Sequence, residues 1–396
     1  MSDPHPPQVR DMRIVCVHQG YELYGSDRCF VESVAAMRAA WPQADIEVVL
    51  PRHGPIVPPL RDLASRIVIE PIFVVRRRNF AKMISIGAFL LLPALWRAAG
   101  RFRAADVVYV NTVVVLDYLL AARFFPGKAL VHVHEIPDGW PLKIFRALLC
   151  WARAEVIFNS KATRAGFGLP RQRPQHVVYS GAAIAPAASP VRYDGSRPLR
   201  LLMIGRINRI KGQDLLIEAL ASLPRGITQR LEVRIVGGSF ENDVAREARL
   251  RASVRAAGLE PVVRFEPFHD DPAPLYQWAD VVAVPSRLPE GLGRVAIEAM
   301  AFGRPPLVAA LGGLVEVVED GATGWIVTPN DPAALAHRIA DIVTRPAAWS
   351  QFPVAARARY ERLFGDRAMT KQIQAIVRAR LTANDSEART RGLARI

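Results

Sequence analysis

The sequence predicts an α/β fold with two doubly wound, Rossmann-like domains that face a central cleft. Short apolar runs alternate with helical patterns along the chain, as in parallel sheets covered by helices. The runs are nearly continuous in apolar residues, which is typical of strands buried on both faces. The 396 residues also exceed what a single hydrophobic core organises, so two domains are expected.

The predicted strands fall into two groups, one in each half of the chain. Those of the first half are residues 12–18, 45–51, 66–72, 106–111, 129–135, 155–160 and 176–181. Those of the second half are residues 199–205, 230–237, 262–268, 280–286, 305–310 and 324–329. In such sheets ligands bind beyond the carboxyl ends of the strands, where the strand order reverses. We therefore look for the site in the segments that follow strands.

An Ala- and Pro-rich segment without helical or strand period, residues 182–198, is the predicted linker. We therefore assign residues 1–187 to a first domain that binds the acceptor and residues 188–370 to a second domain that binds the donor. Residues 371–396 are predicted to form a C-terminal helix and a tail that frays once periodicity is lost past Leu381.

Composition excludes several classes of protein. With 51% hydrophobic and 22% charged residues the chain is foldable and globular rather than disordered. The start of the chain lacks the pattern of a secretory signal, and Cys16, Cys29 and Cys150 lack paired spacing, which indicates reduced thiols and a cytoplasmic protein. The net charge is +15, yet aromatic-interleaved basic stretches and zinc spacings are missing from the sequence, so no nucleic-acid partner is expected.

A basic segment, residues 76–103, has two open interpretations. From Pro71 to Arg103 there are seven basic residues and no acidic one. The apolar run from Met83 to Trp96 has 14 residues, fewer than the roughly 20 that a spanning helix needs. The run is either a buried core helix or a helix that lies on an anionic membrane surface.

A candidate anion site follows the first strand of the second half. The strand ends at Gly205, Arg206 and Lys211 follow, and a helix is predicted to begin near Gly212. Glycine permits close approach of the backbone, Arg206 offers a bidentate fork, and Lys211 offers a point charge. A helix N-terminus adds partial positive charge, so the set suits a diphosphate. The alternative is a surface loop with two ordinary basic residues.

Two carboxylates, Glu290 and Glu298, flank the start of a later helix in "PEGLGRVAIEAM". At ideal helical pitch they lie about 80° apart around the axis, so both can face one ligand. Carboxylates accept hydrogen bonds from vicinal hydroxyls, and the N–H groups of Leu292 and Gly293 can donate to a sugar or phosphate. The alternative is that Glu290 favours the helix dipole and that Glu298 is solvated.

Six segments of the second half resemble, in order and spacing, the C-terminal domain of the retaining glycosyltransferases of family 4, the glycosyl transferases group 1. They are "GRINRIKG", "VRIVGG", "VVRFEPF", "WADVVAVPS", "EGLGRVAIEAMAFGRP" and "GGLVEVVEDGATGWIV", within residues 199–330. The resemblance implies the GT-B fold. Glu290 and Glu298 match that family's pair of acidic residues separated by seven positions.

The resemblance implies a role for each matching residue. Arg206 and Lys211 match the pair that binds the donor diphosphate. Glu290 matches the acidic residue that contacts the donor sugar, and Glu298 matches the one that contacts the nucleotide ribose. The backbone of Leu292 and Gly293 would donate hydrogen bonds to the donor.

The nucleobase would lie against residues 265–268, which end in Phe268, and against the turn at Gly237. The sequence departs from the family pattern at three positions. Leu292 stands where Phe is usual, Pro267 where Gly often stands, and Arg294 where an aliphatic residue is common. Arg294 is the most consequential, because a cation beside the sugar site can alter donor preference.

The first half resembles the family more loosely. Gly25 lies in a loop that matches the family's glycine-bearing, phosphate-approaching loop, although a simple strand–helix turn explains it equally. His134 ends a predicted strand, where the family often has a histidine that faces the donor sugar. The alternative is a core histidine bonded to a backbone carbonyl.

The resemblance implies transfer of a sugar from a nucleoside diphosphate sugar to a hydroxyl with retention of configuration. The sequence has no Asp-x-Asp motif, so no metal or other cofactor is expected, and Arg206 and Lys211 would stabilise the leaving diphosphate. His134 would position and polarise rather than act as a base. The leaving phosphate itself would take the acceptor proton. Domain closure about residues 182–198 would exclude water.

The acceptor and the rival functions rest on weaker signals. Residues 1–187 carry 23 Lys and Arg against 14 Asp and Glu, which suits a lipid-linked or polysaccharide precursor at the inner face of the cytoplasmic membrane. A nucleotide-sugar epimerase of similar two-domain fold and a non-catalytic nucleotide-sugar-binding relative are the alternatives. The donor base stays open among UDP, GDP and dTDP.

Overall fold

The computed structural model describes residues 12–23, 25–74, 87–137, 139–181, 189–238 and 244–393. They fall into two units. The first comprises Met1–Asn159, Arg164–Val178 and Met369–Ile396, and the second comprises Ser160–Thr163 and Tyr179–Ala368.

A parallel sheet forms the centre of the first unit. Its strands are β1 (Arg13–Val17), β2 (Asp45–Leu50), β3 (Arg66–Ile69), β4 (Val107–Val110), β5 (Ala129–Val133), β6 (Glu155–Phe158) and β7 (Gln175–Val177). They pair in the order β3-β2-β1-β4-β5-β6-β7, and each pair is parallel. The chain winds outward from β1 in one direction and returns through β4 in the other, so the strand order reverses between β1 and β4.

Helices cover both faces of this sheet, because successive side chains of a strand point to opposite faces. The helices are α1 (Gly25–Ala40), α2 (Val57–Leu60), α3 (Gly87–Ala104), α4 (Leu116–Ala122), α5 (Trp140–Ala152) and α6 (Lys161–Phe167). Ile14 and Cys16 of β1 pack in the cluster that contains α1 and α2 residues. Val15 and Val17 pack in the cluster that contains residues of α3, α4 and α5.

The second unit repeats this architecture. Its strands are β8 (Leu199–Ile204), β9 (Leu231–Val236), β10 (Val263–Glu266), β11 (Val281–Val284), β12 (Pro306–Ala309) and β13 (Trp325–Val327). All neighbours pair in parallel in the order β10-β9-β8-β11-β12-β13, so the strand order reverses between β8 and β11.

The helices of the second unit alternate with its strands. They are α7 (Gln213–Ala221), α8 (Arg225–Thr228), α9 (Val244–Ala256), α10 (Ala273–Trp278), α11 (Arg294–Ala301), α12 (Leu314–Val317), α13 (Pro332–Thr344) and α14 (Phe352–Leu363), with a 3-10 turn at Pro346–Trp349. The predicted fold class of two doubly wound α/β domains is confirmed. Each predicted strand is present, and most end before their predicted last residue, where the chain leaves the sheet.

The last helix, α15 (Asp366–Leu393), belongs to the first unit. Met369, Ile373 and Val377 are buried in the core of that unit. Gln374 Nε2 donates a hydrogen bond to the carbonyl oxygen of Ala36 at 2.9 Å. The helix continues well past Leu381, where we expected fraying, because no glycine or proline interrupts the chain until Gly392.

The boundaries between the two units of the structure differ from the domain boundaries predicted from the sequence. Tyr179 packs edge-on against Phe364 and donates a hydrogen bond to Glu316, so the second unit takes in Tyr179–Ala368 rather than residues 188–370. Of the predicted linker, residues 182–188 lie outside the described residues.

The rest of the predicted linker is packed. Tyr193 is stacked on Trp349, with ring centroids 5.6 Å apart, and Arg197 forms an ion pair with the buried Asp280 at 2.6 Å. These two side chains anchor residues 189–198 to the second unit, so this part of the segment is not the unstructured hinge that its composition suggested.

Part of the basic segment 76–103 is described. Residues 75–86 lie outside the described residues, and α3 begins at Gly87. Ala98 and Phe102 are buried against the sheet, whereas the Trp96 side chain is 77% exposed. The helix therefore has a core face and a solvent face. No helix in the described ranges is both long and apolar enough to cross a membrane.

Candidate functional site

The candidate site of the second unit lies where the strand order reverses. Strands β8 and β11 are neighbours in the sheet, and both run parallel. Gly205 follows β8 directly and begins the loop that carries Lys211. Ser286 follows β11 and begins the loop that carries Glu290. The fold thus brings together two loops that are about 80 residues apart in sequence.

An ion pair joins these loops. Lys211 Nζ donates a hydrogen bond to Glu290 Oε1 at 2.8 Å. The buried Ser286 hydroxyl donates to the same carboxylate oxygen. Burial raises the pKa of Glu290, but the charge of Lys211 and the hydrogen bonds from Lys211 and Ser286 outweigh it, so the pKa lies below its ordinary value. Glu290 is therefore ionised at neutral pH and acts only as an acceptor.

Two glycines let the loops approach closely. At Gly237, which follows β9 with φ +152°, a Cβ atom would lie 2.1 Å from the carbonyl oxygen of Gly205. At Gly212, with φ +81°, a Cβ atom would lie 2.1 Å from the carbonyl oxygen of Pro285. Both positions exclude a side chain for two reasons, the positive φ and the contact with backbone. The two glycines therefore let the backbones of the loops after β8, β9 and β11 pack directly against each other.

The loop that precedes α11 is held in place by contacts with the segment at Gly313 and Leu314. Gly313 N–H donates to the carbonyl oxygen of Glu290 at 2.9 Å. Gly293 begins α11 with φ +87°, and a Cβ atom there would lie 2.3 Å from Leu314 Cδ2. Leu292 is 4% exposed and packs in the core, so a contact of this residue with a ligand would come from its backbone. An apolar side chain is what this position needs, which is why Leu serves where Phe is usual.

Glu298, inside α11, is held by two donors. Arg294 Nε donates to Glu298 Oε1 at 2.9 Å, one turn along the helix. The Tyr276 hydroxyl, from α10, donates to Glu298 Oε2 at 2.7 Å. The side chains of Glu298 and Arg294 are both 14% exposed. The carboxylate is thus oriented before any ligand binds, and it is not the solvated side chain of the alternative interpretation.

The other predicted donor-site residues lie at the ends of neighbouring strands. Arg206 is half-buried directly after Gly205, and its carbonyl oxygen accepts a hydrogen bond from Gln213 Nε2 at 3.1 Å. Phe268, beyond β10, is 44% exposed. Phe265 instead packs against the core. Phe268 is therefore the aromatic side chain of this segment that is available to a base.

Sequence reasoning missed Ser286 and Tyr276. Ser286 lies four residues before Glu290, yet its contact with the carboxylate depends on the shape of the loop. Tyr276 reaches Glu298 from another element, which spacing alone does not reveal. The contact of Arg294 with Glu298 could have been found, since residues four apart on a helix are neighbours.

The first unit holds a buried polar network at the ends of β1, β4 and β5. His134 Nε2 donates to Asn111 Oδ1 at 2.9 Å, and Asn111 Nδ2 lies 3.2 Å from His18 Nδ1. His18 Nε2 lies 2.6 Å from Asp27 Oδ1. His134 is half-buried, and its Nε2 bonds to a side-chain amide.

The glycine that this network constrains is Gly20. A Cβ atom at Gly20 would lie 2.0 Å from Asp27 Oδ1. The predicted Gly25 instead lies exposed at the start of α1. The approach of Gly25 to a phosphate stays a prediction.

Three potential metal ligands lie close together in the first unit. One ligand atom each of Cys29, His132 and His134 lies within 4.8 Å of the others. His132 is fully buried, which lowers its pKa to about 3, and the Tyr109 hydroxyl lies 2.6 Å from its Nδ1. A neutral imidazole and a thiolate suit Zn²⁺. These residues are where a metal would bind, and the expectation of no metal remains a prediction.

Comparisons with known proteins bear on the second unit most directly. Residues 194–359 match the family model "Glycosyl transferases group 1". D-inositol 3-phosphate glycosyltransferase 1 of Catenulispora acidiphila is 33% identical over 249 residues, which is 62% of this chain and 50% of the relative. The enzyme of the same name from Streptomyces scabiei is 36% identical over 202 residues, which is 50% of this chain and 43% of the relative. The chain thus spans about half the length of these relatives.

Solved structures of similar fold cover most of the chain. Anabaena HepE in complex with UDP superposes with a TM-score of 0.75 at 23% identity, covering 93% of this chain and 100% of that one. Sucrose-phosphate synthase of Thermosynechococcus elongatus superposes with a TM-score of 0.72 at 22% identity, covering 94% of this chain and 100% of that one. At this identity the likeness shows the fold alone, and that fold is GT-B.

Proposed function

We propose that this GT-B chain, whose residues 194–359 match the glycosyl transferases group 1, transfers a sugar from a nucleoside diphosphate sugar to a hydroxyl acceptor. The transfer retains the anomeric configuration and needs no metal ion. The observation that carries the proposal is the ion pair of Lys211 and Glu290 at the point where the strand order of the second sheet reverses.

The diphosphate binds at the cationic side of this pair. Lys211 supplies a point charge, and Arg206 on the same loop supplies a fork that can bind two phosphate oxygens. Gly205 has a φ of +148°, and the Lys211 side chain lies 3.7 Å from where its Cβ would be, so this glycine and the lysine share one surface of the loop. Anabaena HepE has been solved with UDP and with UDP-glucose, which supports a nucleoside diphosphate sugar as the class of donor.

The sugar binds at the anionic side. Glu290 is ionised and fixed by Lys211 and Ser286, so its second carboxylate oxygen, Oε2, can accept from vicinal hydroxyls of the donor sugar. Backbone N–H groups of Leu292 and Gly293 at the start of α11 donate to the donor. The single carboxylate thus sets both the position of Lys211 and the orientation of the sugar.

The ribose and the nucleobase bind at Glu298 and Phe268, beyond the sugar and the diphosphate. Glu298 accepts from the ribose hydroxyls in the orientation that Arg294 and Tyr276 impose. The exposed ring of Phe268 offers an apolar surface to the nucleobase. This assignment accounts for the exposure of Phe268.

The chemistry is stabilisation of a leaving diphosphate. Negative charge develops on the phosphate oxygen as its bond to the sugar breaks, and Lys211 and Arg206 are positioned to stabilise it. No covalent nucleophile is assigned: the acceptor hydroxyl attacks the same face, and its proton passes to the departing phosphate oxygen. His134 positions and polarises rather than taking this proton. Lipid-linked or polysaccharide precursors are the acceptor class that the basic first half favours.

The test is release of nucleoside diphosphate from a panel of UDP-, GDP- and dTDP-sugars, with and without EDTA. Glu290→Gln keeps the shape of the side chain and removes its charge, so we expect turnover to fall while the fold persists. Glu260→Gln, on an exposed loop, is the matched control and should turn over as the wild type does. Equal turnover of both variants, or loss of wild-type activity in EDTA, would contradict the proposal.

A further inference from the structure

We propose that the first unit docks on an anionic lipid bilayer through the outer surface of α3, α4 and α5. We call this surface the apolar–basic face. It consists of Leu90, Leu92, Trp96 and Arg103 on α3, Arg123 and Phe124 after α4, and Trp140, Lys143, Ile144, Arg146, Trp151 and Arg153 on or next to α5. The proposal concerns an interaction surface and does not depend on the transferase activity.

Helix α3 presents a solvent face that the core does not use. Ala94, Ala98 and Phe102 recur every four residues and are buried. On the outer side Leu92 is 68% exposed and Trp96 is 77% exposed. Leu92 and Trp96, with Leu90, are a group of exposed apolar side chains on one helix, and such groups mark interaction sites where they belong to a larger apolar patch.

Helix α5 repeats the pattern. Its inner residues, Phe145 and Leu149, are buried in the core of the first unit. On its outer side Trp140, Ile144 and Trp151 are 50%, 37% and 48% exposed. Their spacing of four and seven residues puts them on one stripe of the helix. The segment predicted from the sequence, residues 76–103, does not include this second stripe.

The two stripes belong to one layer. Residues of α3, α4 and α5 are buried in the same cluster on one face of the sheet, so their outer sides all point away from that face. At the end of α4, the guanidinium of Arg123 lies 5.1 Å from the centroid of the Trp151 ring, and the neighbouring Phe124 is 73% exposed. The exposed apolar residues therefore belong to the outer side of one layer of helices, and we call them the apolar strip.

Charge identifies the occupant. Arg103, Lys143, Arg146 and Arg153 are exposed beside the strip. Within the described parts of α3, α4 and α5 the acidic residue is Asp117, which is buried. Tryptophan and leucine flanked only by cations suit the boundary between anionic headgroups and acyl chains. A second copy of the same face would place like charges opposite each other, which disfavours self-association.

The experiment is vesicle flotation of the full chain. Vesicles of phosphatidylcholine alone are compared with vesicles that also contain phosphatidylglycerol, at low and at high salt. We expect binding to the anionic vesicles at low salt, weaker binding at high salt, and little binding to the neutral vesicles. No binding of the wild type to anionic vesicles at low salt would overturn the proposal.

Variants separate the apolar contribution from the electrostatic one. Trp140→Ser with Ile144→Ser should lower binding at both salt concentrations. Lys143→Gln with Arg146→Gln should lower binding at low salt by about fivefold per charge and flatten the salt dependence. Val354→Ser with Arg264→Gln, exposed in the second unit, is the control and should bind as the wild type does. Equal binding of all three double variants would contradict the assignment of the face.

Two further measurements distinguish failure of the docking proposal from failure of the proposed transferase function and from self-association. Glu290→Gln should float like the wild type, so failure of the proposed transferase leaves the docking result readable. Light scattering tests the rival occupant. A dimer that Trp140→Ser with Ile144→Ser dissociates, in a chain that does not float, would assign the face to a second copy and overturn the lipid proposal.

Discussion

Lys211 Nζ lies 2.8 Å from Glu290 Oε1, and this pair joins the loops that follow β8 and β11. The pair is partly buried, so neither charge is fully solvated. Removing one partner leaves the other poorly compensated. In a nucleoside diphosphate sugar complex the cation would contact phosphate and the anion would contact the sugar.

Lys211→Ala should lower turnover of nucleoside diphosphate sugar by roughly a hundredfold or more, because the charge that we propose stabilises the leaving group is lost. It should also raise the pKa of Glu290, since burial then acts without its counter-charge. Rates of nucleoside diphosphate release measure the first effect. Lys371→Ala, on an exposed face of α15, should keep the wild-type rate. Wild-type turnover in Lys211→Ala would remove this residue from the mechanism.

Gly237→Ala should weaken donor binding by disturbing the approach of the β8 and β9 loops. The added methyl would lie 2.1 Å from the Gly205 carbonyl oxygen. Gly258→Ala is a matched control, because Gly258 also has a positive φ of +65° but has open space where Cβ would lie. Both variants place a side chain at a positive φ, so a loss of affinity seen only in Gly237→Ala is assigned to its contact with Gly205. Calorimetric titration with nucleoside diphosphate gives the affinity, and equal affinities would refute the effect.

Tyr276→Phe should lower nucleotide affinity by about five- to tenfold, since one hydrogen bond that orients Glu298 is lost. The loss should be smaller for the 2′-deoxyribonucleotide, because in the proposed complex Glu298 accepts hydrogen bonds from the ribose hydroxyls. Arg294→Lys tests the second donor in the same way. A variant that loses equal affinity for both nucleotides would show a general structural effect instead of ribose recognition.

Acid should destabilise the first unit through Glu47. Burial raises the pKa of Glu47, but hydrogen bonds from Arg101, Arg66 and Arg13 outweigh it and lower the pKa from 4.5 to about 2. The folded state therefore releases this proton more readily than the unfolded state. Its stabilisation is complete above about pH 4.5 and is lost as the pH falls towards 2. Urea unfolding across this range should show a shallower pH dependence for Glu47→Gln than for the wild type, and identical slopes would contradict the account.

Much of the fold could be predicted from the sequence, because buried parallel strands appear in it as short, nearly continuous apolar runs. The resemblance to the glycosyl transferases group 1 is confirmed by the family model over residues 194–359. Contacts between residues far apart in the sequence could not be predicted from it. The return of α15 to the first unit rests on Met369 and Ile373, whose pattern suits burial in either unit. Likewise, Tyr193 and Arg197 fix a segment whose composition suggested a linker.

The candidate site, like the fold, was predicted from the sequence only in part. Glu290, Glu298, Arg206 and Lys211 were identified from spacing and resemblance, and the structure pairs Lys211 with Glu290. Tyr276 and Ser286 were missed because their contacts depend on loop and helix placement. The roles of His134 and Gly25 toward a donor stay predictions.

The most direct test of the central claim is a crystal structure of the chain with a bound nucleoside diphosphate sugar. The account predicts phosphate oxygens within hydrogen-bond distance of Lys211 Nζ and sugar hydroxyls on the Glu290 carboxylate, with the ribose at Glu298. A ligand bound with these three side chains uninvolved, and with the Lys211–Glu290 pair unchanged, would contradict it.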